Sequence, residues 1–128
     1  MDLSKIPLLS GLAARLDFLA ARTSVIAENI ANADTPNYTA RDLKKPDFKD
    51  MATTAMRASD PKHLTAPATP GSSYRAVSAP DGEASLTGNQ VSVETQAMKL
   101  SETRQEYALA ASLYRKGLSM LRIAARGQ

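Results

Sequence analysis

Apolar residues recur in steps of three and four along two long stretches of this chain, and the region between the two has no such rhythm. The first stretch runs from Pro7 or Leu8 to Ala33. Leu9, Leu12, Leu16, Leu19, Thr23, Ile26, Ile30 and Ala33 fall on one heptad seam, and Arg15, Asp17, Arg22 and Glu28 fall off it. Proline is tolerated in the first helical turn, and Pro36 disfavours helical geometry at Thr35, so the helix is predicted to stop before Asp34. The second stretch runs from Val91 to Arg126. Its seam is Val93, Ala97, Leu100, Arg104, Tyr107, Ala111, Tyr114, Leu118, Leu121 and Ala125, with Arg104 the one charged member. Ser92 is a suitable N-cap, Glu94 lies near the positive end of the helix dipole, and Arg122 and Arg126 lie near the negative end ahead of Gly127.

At 1.5 Å per residue the second helix is about 50 Å long and the first about 37–40 Å. A helix of that length needs a partner along most of its course. The expected fold is mainly α: two long terminal helices form an antiparallel, coiled-coil-like pair around an irregular, partly disordered, proline-rich middle. The chain divides into an N-terminal helix within 1–33, a turn and short extended or helical segment at 34–58, a mobile segment at 59–90, and the long helix within 91–128. Six of the seven prolines lie between Asp34 and Gln90. Within that span, Tyr38 to Phe48 alternates loosely enough to be extended, and residues 51–58 can make a helical turn or two. From 59 onward, Ala, Pro, Ser, Thr and Gly bury too little to offset the entropy of ordering them.

Both helices carry apolar residues beyond their seams. Phe18 and Val25 lie on one flank of the first, and Leu109, Leu113, Met120 and Ile123 on the outer face of the second. Either the middle folds over these residues or another subunit does. The sequence favours a subunit interface, because the middle has few large apolar side chains.

Charge adds little. Residues 91–128 hold six basic and three acidic groups and so supply the whole net charge of +3; elsewhere the two signs balance. No basic cluster suited to tracking phosphates occurs, which argues against nucleic-acid binding. No apolar run is long enough to insert in a membrane. The N-terminus superficially resembles a secretory signal. Asp2, Pro7, Arg15 and Asp17 break that pattern, so it reads as mature structure, with any export proceeding without a cleaved signal.

No residues point to catalysis, a cofactor or a metal. His63, the only histidine, has no partners at metal-ligand spacing and reads as a solvated loop residue. Asp42, Asp47 and Asp50 alternate with Arg41, Lys44, Lys45 and Lys49 as a solvated, charge-balanced segment. No nucleophile elbow or phosphate loop is present. The chain reads as a non-enzyme.

Residues 27–38, Ala-Glu-Asn-Ile-Ala-Asn-Ala-Asp-Thr-Pro-Asn-Tyr, followed by Thr-Ala-Arg-Asp, resemble the N-terminal signature of the bacterial flagellar rod and hook proteins, and most of all its proximal-rod subunits. The motif positions are Asn29, Ala31, Asn32, Asp34, Thr35, Pro36 and Tyr38. Gly88-Asn89-Gln90-Val91 before the last helix is also similar to the family, although Thr87 stands where aspartate is usual. The resemblance implies a structural subunit of the flagellar basal-body rod. Such a subunit is passed unfolded through the flagellar type III export apparatus. It polymerises in the periplasm through its terminal helices, with copies of itself, other rod subunits and export-gate or adaptor proteins as partners. Two other readings stay open on the residues alone: a cytoplasmic helical adaptor or export chaperone that binds client helices, and a peripheral membrane protein using the basic last helix. The roles of Asn29 and Asn32 are also open between bonding to backbone and simple helix termination, and that of Tyr38 between an anchor and a solvent-exposed ring.

Overall fold

The computed structural model describes residues 7–46 and 74–126. The turns expected at 51–58, the end of the extended segment at Phe48, and Asp47, Lys49, Asp50 and His63 lie outside the described residues. The elements in order are α1 (Pro7–Ala31), β1 (Arg41–Leu43), β2 (Ala76–Ser78) and α2 (Val93–Arg126).

The two helices lie antiparallel, and three contacts set their register. Asn29 meets Gln96, Arg15 meets Glu106, and Leu9 lies against Gly117. From α1 the seam supplies Leu9, Leu19 and Ile26 as buried side chains and Leu12, Leu16, Thr23 and Ile30 as half-buried ones. Ala33, expected to close that helix, is half-buried in the turn beyond its end.

The line of α2 that meets α1 is rotated from the one alternation predicts. Its innermost positions are Gln96, Thr103 and Ala110, with Gly117 continuing the same seven-residue spacing. Leu100, Ala111, Tyr114, Leu118 and Leu121 flank them, half-buried. Val93 and Tyr107, expected in the seam, instead stand outward at 46% and 44% exposure, and Ala97, Arg104 and Ala125 are exposed too. Toward the C-terminal end of this line the residues are small, and Leu9 of α1 fills the space over Gly117. The buried polar members are satisfied: the Thr103 hydroxyl donates to the Lys99 carbonyl at 2.7 Å.

β1 and β2 form a two-stranded antiparallel ribbon, with Arg41 opposite Ser78 and Leu43 opposite Ala76. The ribbon lies on α1 and changes the expected picture in two ways. Phe18, expected on an open flank, is buried at 4% exposure in a cluster with Leu19 and Leu43, and Val25 packs at its edge. Tyr74 closes the cluster, with its ring edge-on to Phe18 at 5.3 Å and its hydroxyl donating to the Ala14 carbonyl at 3.1 Å. Phe18 and Val25 are therefore core, covered by this chain's own middle. Residues 74–90, expected to be mobile, are part of the packed structure. Hydrogen bonding holds them where apolar burial would not.

Candidate functional site

The two motif segments meet at one end of the helix pair. The α1 helix ends at Ala31 because the chain supplies substitutes for the next helical bonds. The Asn32 side-chain Nδ2 donates to the Glu28 carbonyl at 2.8 Å, and the Thr35 hydroxyl donates to Asn32 Oδ1 at 3.1 Å. Asn89, 57 residues further along, then inserts its amide and donates to the carbonyls of Asn32 and Thr35 at 3.0 and 2.7 Å. Each of these carbonyls, just past the helix, also accepts a backbone amide of the turn, from Thr35 and Tyr38, so the far segment's side chain locks a turn that is already hydrogen-bonded. Asn89 Oδ1 accepts from the Val91 amide at 2.8 Å, so both ends of its side-chain amide are engaged.

Asn29 is the centre of the junction and is fully buried. Its Nδ2 donates to the Arg41 carbonyl at 2.6 Å and to Gln96 Oε1 at 3.0 Å. Its Oδ1 accepts from the Arg41 amide at 3.0 Å and from the Tyr38 hydroxyl at 3.2 Å. A primary amide has two donors and two lone pairs, and here all four are engaged. Asn29 thus pairs with the Arg41 backbone as a neighbouring strand would, and it ties β1 to both helices. Tyr38 is an anchor.

Gln96, also fully buried, passes the network on by donating from Nε2 to Asp81 Oδ2 at 2.8 Å. That carboxylate, 1% exposed, also accepts from the Ser92 amide at 3.0 Å and from Lys99 Nζ at 2.8 Å. Burial pushes the Asp81 carboxyl up, but the bonds from Gln96, Lys99 and Ser92 outweigh it and hold it below the usual carboxylate value. Ser92 caps α2, its hydroxyl accepting from the Thr95 amide at 3.3 Å. A parallel bridge joins Thr39 to Gln90. Here the Gln90 amide donates to the Tyr38 carbonyl at 2.9 Å and the Thr39 hydroxyl to Gln90 Oε1 at 2.9 Å.

Two residues with positive φ make the close approach possible, Asn37 at 58° and Gly88 at 76°. The positive φ favours glycine at 88, and a Cβ there would lie 2.4 Å from Asn37 Oδ1, so that side chain would have to move.

Beside the junction, Arg22 forms a two-pronged bond to Asp42 at 2.9 and 2.8 Å, with the Arg22 side chain 8% exposed. Its bond to Asp42 raises the Arg22 pKa. At Asp42, burial pushes the pKa up, but the bonds from Arg22 and the Leu43 amide win and lower it. Asp42, read from the sequence as solvated, is instead joined to Arg22 in a partly buried ion pair that fastens β1 to α1.

Of the motif positions, Asn29, Asn32, Thr35 and Tyr38 bond within the junction, Ala31 ends α1, and Asp34 and Pro36 are exposed in the turn. Sequence reading passed over Asp81 and Gln96. The signal for Gln96 was a polar residue seven before Thr103 on a helix face; Asp81 had none. Asp34 and Asp81 help line an open cleft of about 380 Å³. Among the described residues no group of three His, Cys, Asp or Glu could hold a metal ion, and no helix is long and apolar enough to cross a membrane.

The outer face of α2 takes no part in the junction. Leu109, Leu113, Met120 and Ile123 are all exposed there, and so is Met98. A chain that locks its two terminal helices together and leaves an apolar stripe exposed on one of them is a helical structural unit.

A family model described as "Flagella basal body rod protein" matches residues 9–39. The chain is similar to "Flagellar basal body rod protein FlgB" of Cereibacter sphaeroides, with 31% identity over 115 residues that cover 84% of each protein. It is 34% identical over 107 residues to the protein of the same name from Escherichia coli (strain K12), covering 76% of this chain and 77% of that one. The chain belongs to the flagellar basal body rod proteins and is of the FlgB type. Its role is structural, as a component of the basal-body rod.

Proposed function

We propose that this protein is a proximal-rod subunit that leaves the cytoplasm unfolded through the flagellar type III export apparatus and polymerises in the periplasm. Packing uses the outer face of α2, with copies of itself, other rod subunits and the export-gate or adaptor proteins at the rod base as neighbours. The observation that carries this reading is the stripe of Leu109, Leu113, Met120 and Ile123, exposed on a helix whose opposite side is already committed to α1. The motif junction supports it. Hydrogen bonds that need no oxidation or bound group can close the fold after the chain has crossed a channel, and the chain has no cysteine.

The test is to replace Leu113 and Ile123 separately by Asp. Both side chains are exposed, so the purified variants should keep the wild-type far-ultraviolet circular dichroism. In cells, the variant chains should be exported, but rods should be absent. Normal rods in both variants would overturn the packing assignment. Cell fractionation of the unmodified protein separates this reading from a cytoplasmic adaptor: a rod subunit co-purifies with basal bodies, whereas an adaptor stays in the cytoplasm.

A further inference from the structure

The part of the outward face of α2 from Met98 to Met120 is self-complementary. Reading from Met98, its positions are Met98, Glu102, Gln105, Leu109, Leu113, Lys116 and Met120, at steps of four, three, four, four, three and four. The pattern is a palindrome centred on Leu109. If a second helix is laid antiparallel across it with Leu109 on the two-fold axis, Met98 falls opposite the partner's Met120, Gln105 opposite the partner's Leu113, and Glu102 opposite the partner's Lys116. The last pair occurs twice by symmetry. All seven residues are exposed, and neither Glu102 nor Lys116 makes an ion pair among the described residues.

Met98, Leu109 and Met120 are eleven residues apart. Eleven residues in three turns is about 3.67 per turn, close to a straight helix, so the stripe runs almost along the axis for about 33 Å. Two such helices can therefore stay in contact over the full palindrome. A parallel pairing in register would set Glu102 against Glu102 and Lys116 against Lys116, which is repulsive at both places.

We propose that two copies of this chain associate as an antiparallel, two-fold dimer through the Met98–Met120 stripe of α2, with Glu102 and Lys116 selecting the direction. The pairing stands independently of the rod assignment. One consequence does rest on that assignment: a two-fold contact closes on itself and does not extend, so this dimer occupies the packing face of a subunit that has not yet joined a rod.

The purified full-length chain tests the pairing by analytical ultracentrifugation. Glu102→Lys alone and Lys116→Glu alone each create two like-charge contacts and should weaken dimerisation about tenfold or more. The double variant Glu102→Lys/Lys116→Glu should restore it, as should mixing the two single variants. Because the chain has no cysteine, Leu109→Cys should oxidise to a disulfide-linked dimer at the two-fold axis. A monomer at all concentrations, single variants that dimerise like the unmodified chain, or a double variant as weak as the singles would overturn the proposal. None of these outcomes depends on rod formation in cells.

Discussion

Asn29 has no unused hydrogen-bonding position, and removing it leaves several buried groups without partners. Asn29→Ala strands the Arg41 amide and carbonyl, the Tyr38 hydroxyl and one side of the Gln96 amide. Some of these will find water, so the expected loss is about 3–5 kcal/mol, read from urea unfolding. Tyr38→Phe removes one donor from a network that keeps its other members, and should cost about 1 kcal/mol. If the two variants proved equally mild, the junction would not be what closes the fold. Asn29, Asn32 and Tyr38 stood out in the sequence as motif positions. Gln96 did not, and although Asn89 lies in the second motif, its meeting with Asn32 was not legible either, because Gln96 lies 67 residues from Asn29 and Asn89 57 residues from Asn32. Spacing along the chain carries no information about which distant amide meets which.

Helix α2 was legible as a helix, but its rotation about its own axis was not. Counting apolar residues in heptads selects the greasiest line, which placed Val93 and Tyr107 inward. The actual line runs through Gln96, Thr103, Ala110 and Gly117, because α1 brings the bulk and α2 the clearance. Gly117 tests this view. A Cβ there would come within 3.0 Å of Leu9 Cδ2, the end of a flexible side chain. Glycine inside a helix costs about 1 kcal/mol relative to alanine, which exceeds the cost of a small Leu9 adjustment. Gly117→Ala is therefore expected to raise stability by about 0.5 kcal/mol, seen as a higher thermal midpoint, whereas a branched residue such as Val should lower it. A clear loss with alanine would mean that the helices are too tightly apposed for Leu9 to move.

For the molecule as a whole, two lowered carboxylates make stability depend on pH. Asp42 and Asp81 both sit below their ordinary value when folded, because bonds to the charged form outweigh burial. A depressed folded-state pKa means that the unfolded chain binds the proton more readily. The stabilisation is thus fully present above the unfolded carboxylate value of about 3.9 and is lost as pH falls through the lower folded values. The urea midpoint should be flat from neutral pH to about pH 5 and fall in more acidic solution. Asp81→Asn should be less stable at neutral pH and should show a shallower acid slope than the unmodified chain. An unchanged slope would remove Asp81 from the account. The sequence had placed Asp42 in a solvated stretch, since charge alternation looks the same whether or not one member finds a buried guanidinium.

Local chemistry was enough to set two long helices and the Ser92 cap of the second. Helix propensity and apolar rhythm act over a few residues and are written in the order of the chain. The family, too, could be read from the Asn29–Tyr38 motif. The fold alone established the closing of Asn29, Gln96 and Asp81 into one buried network, the covering of Phe18 by Leu43 and Tyr74, and the face of α2 left open. Each of these depends on which groups far apart in the chain share the same low-dielectric space, and a buried polar group is stable only where every partner arrives together.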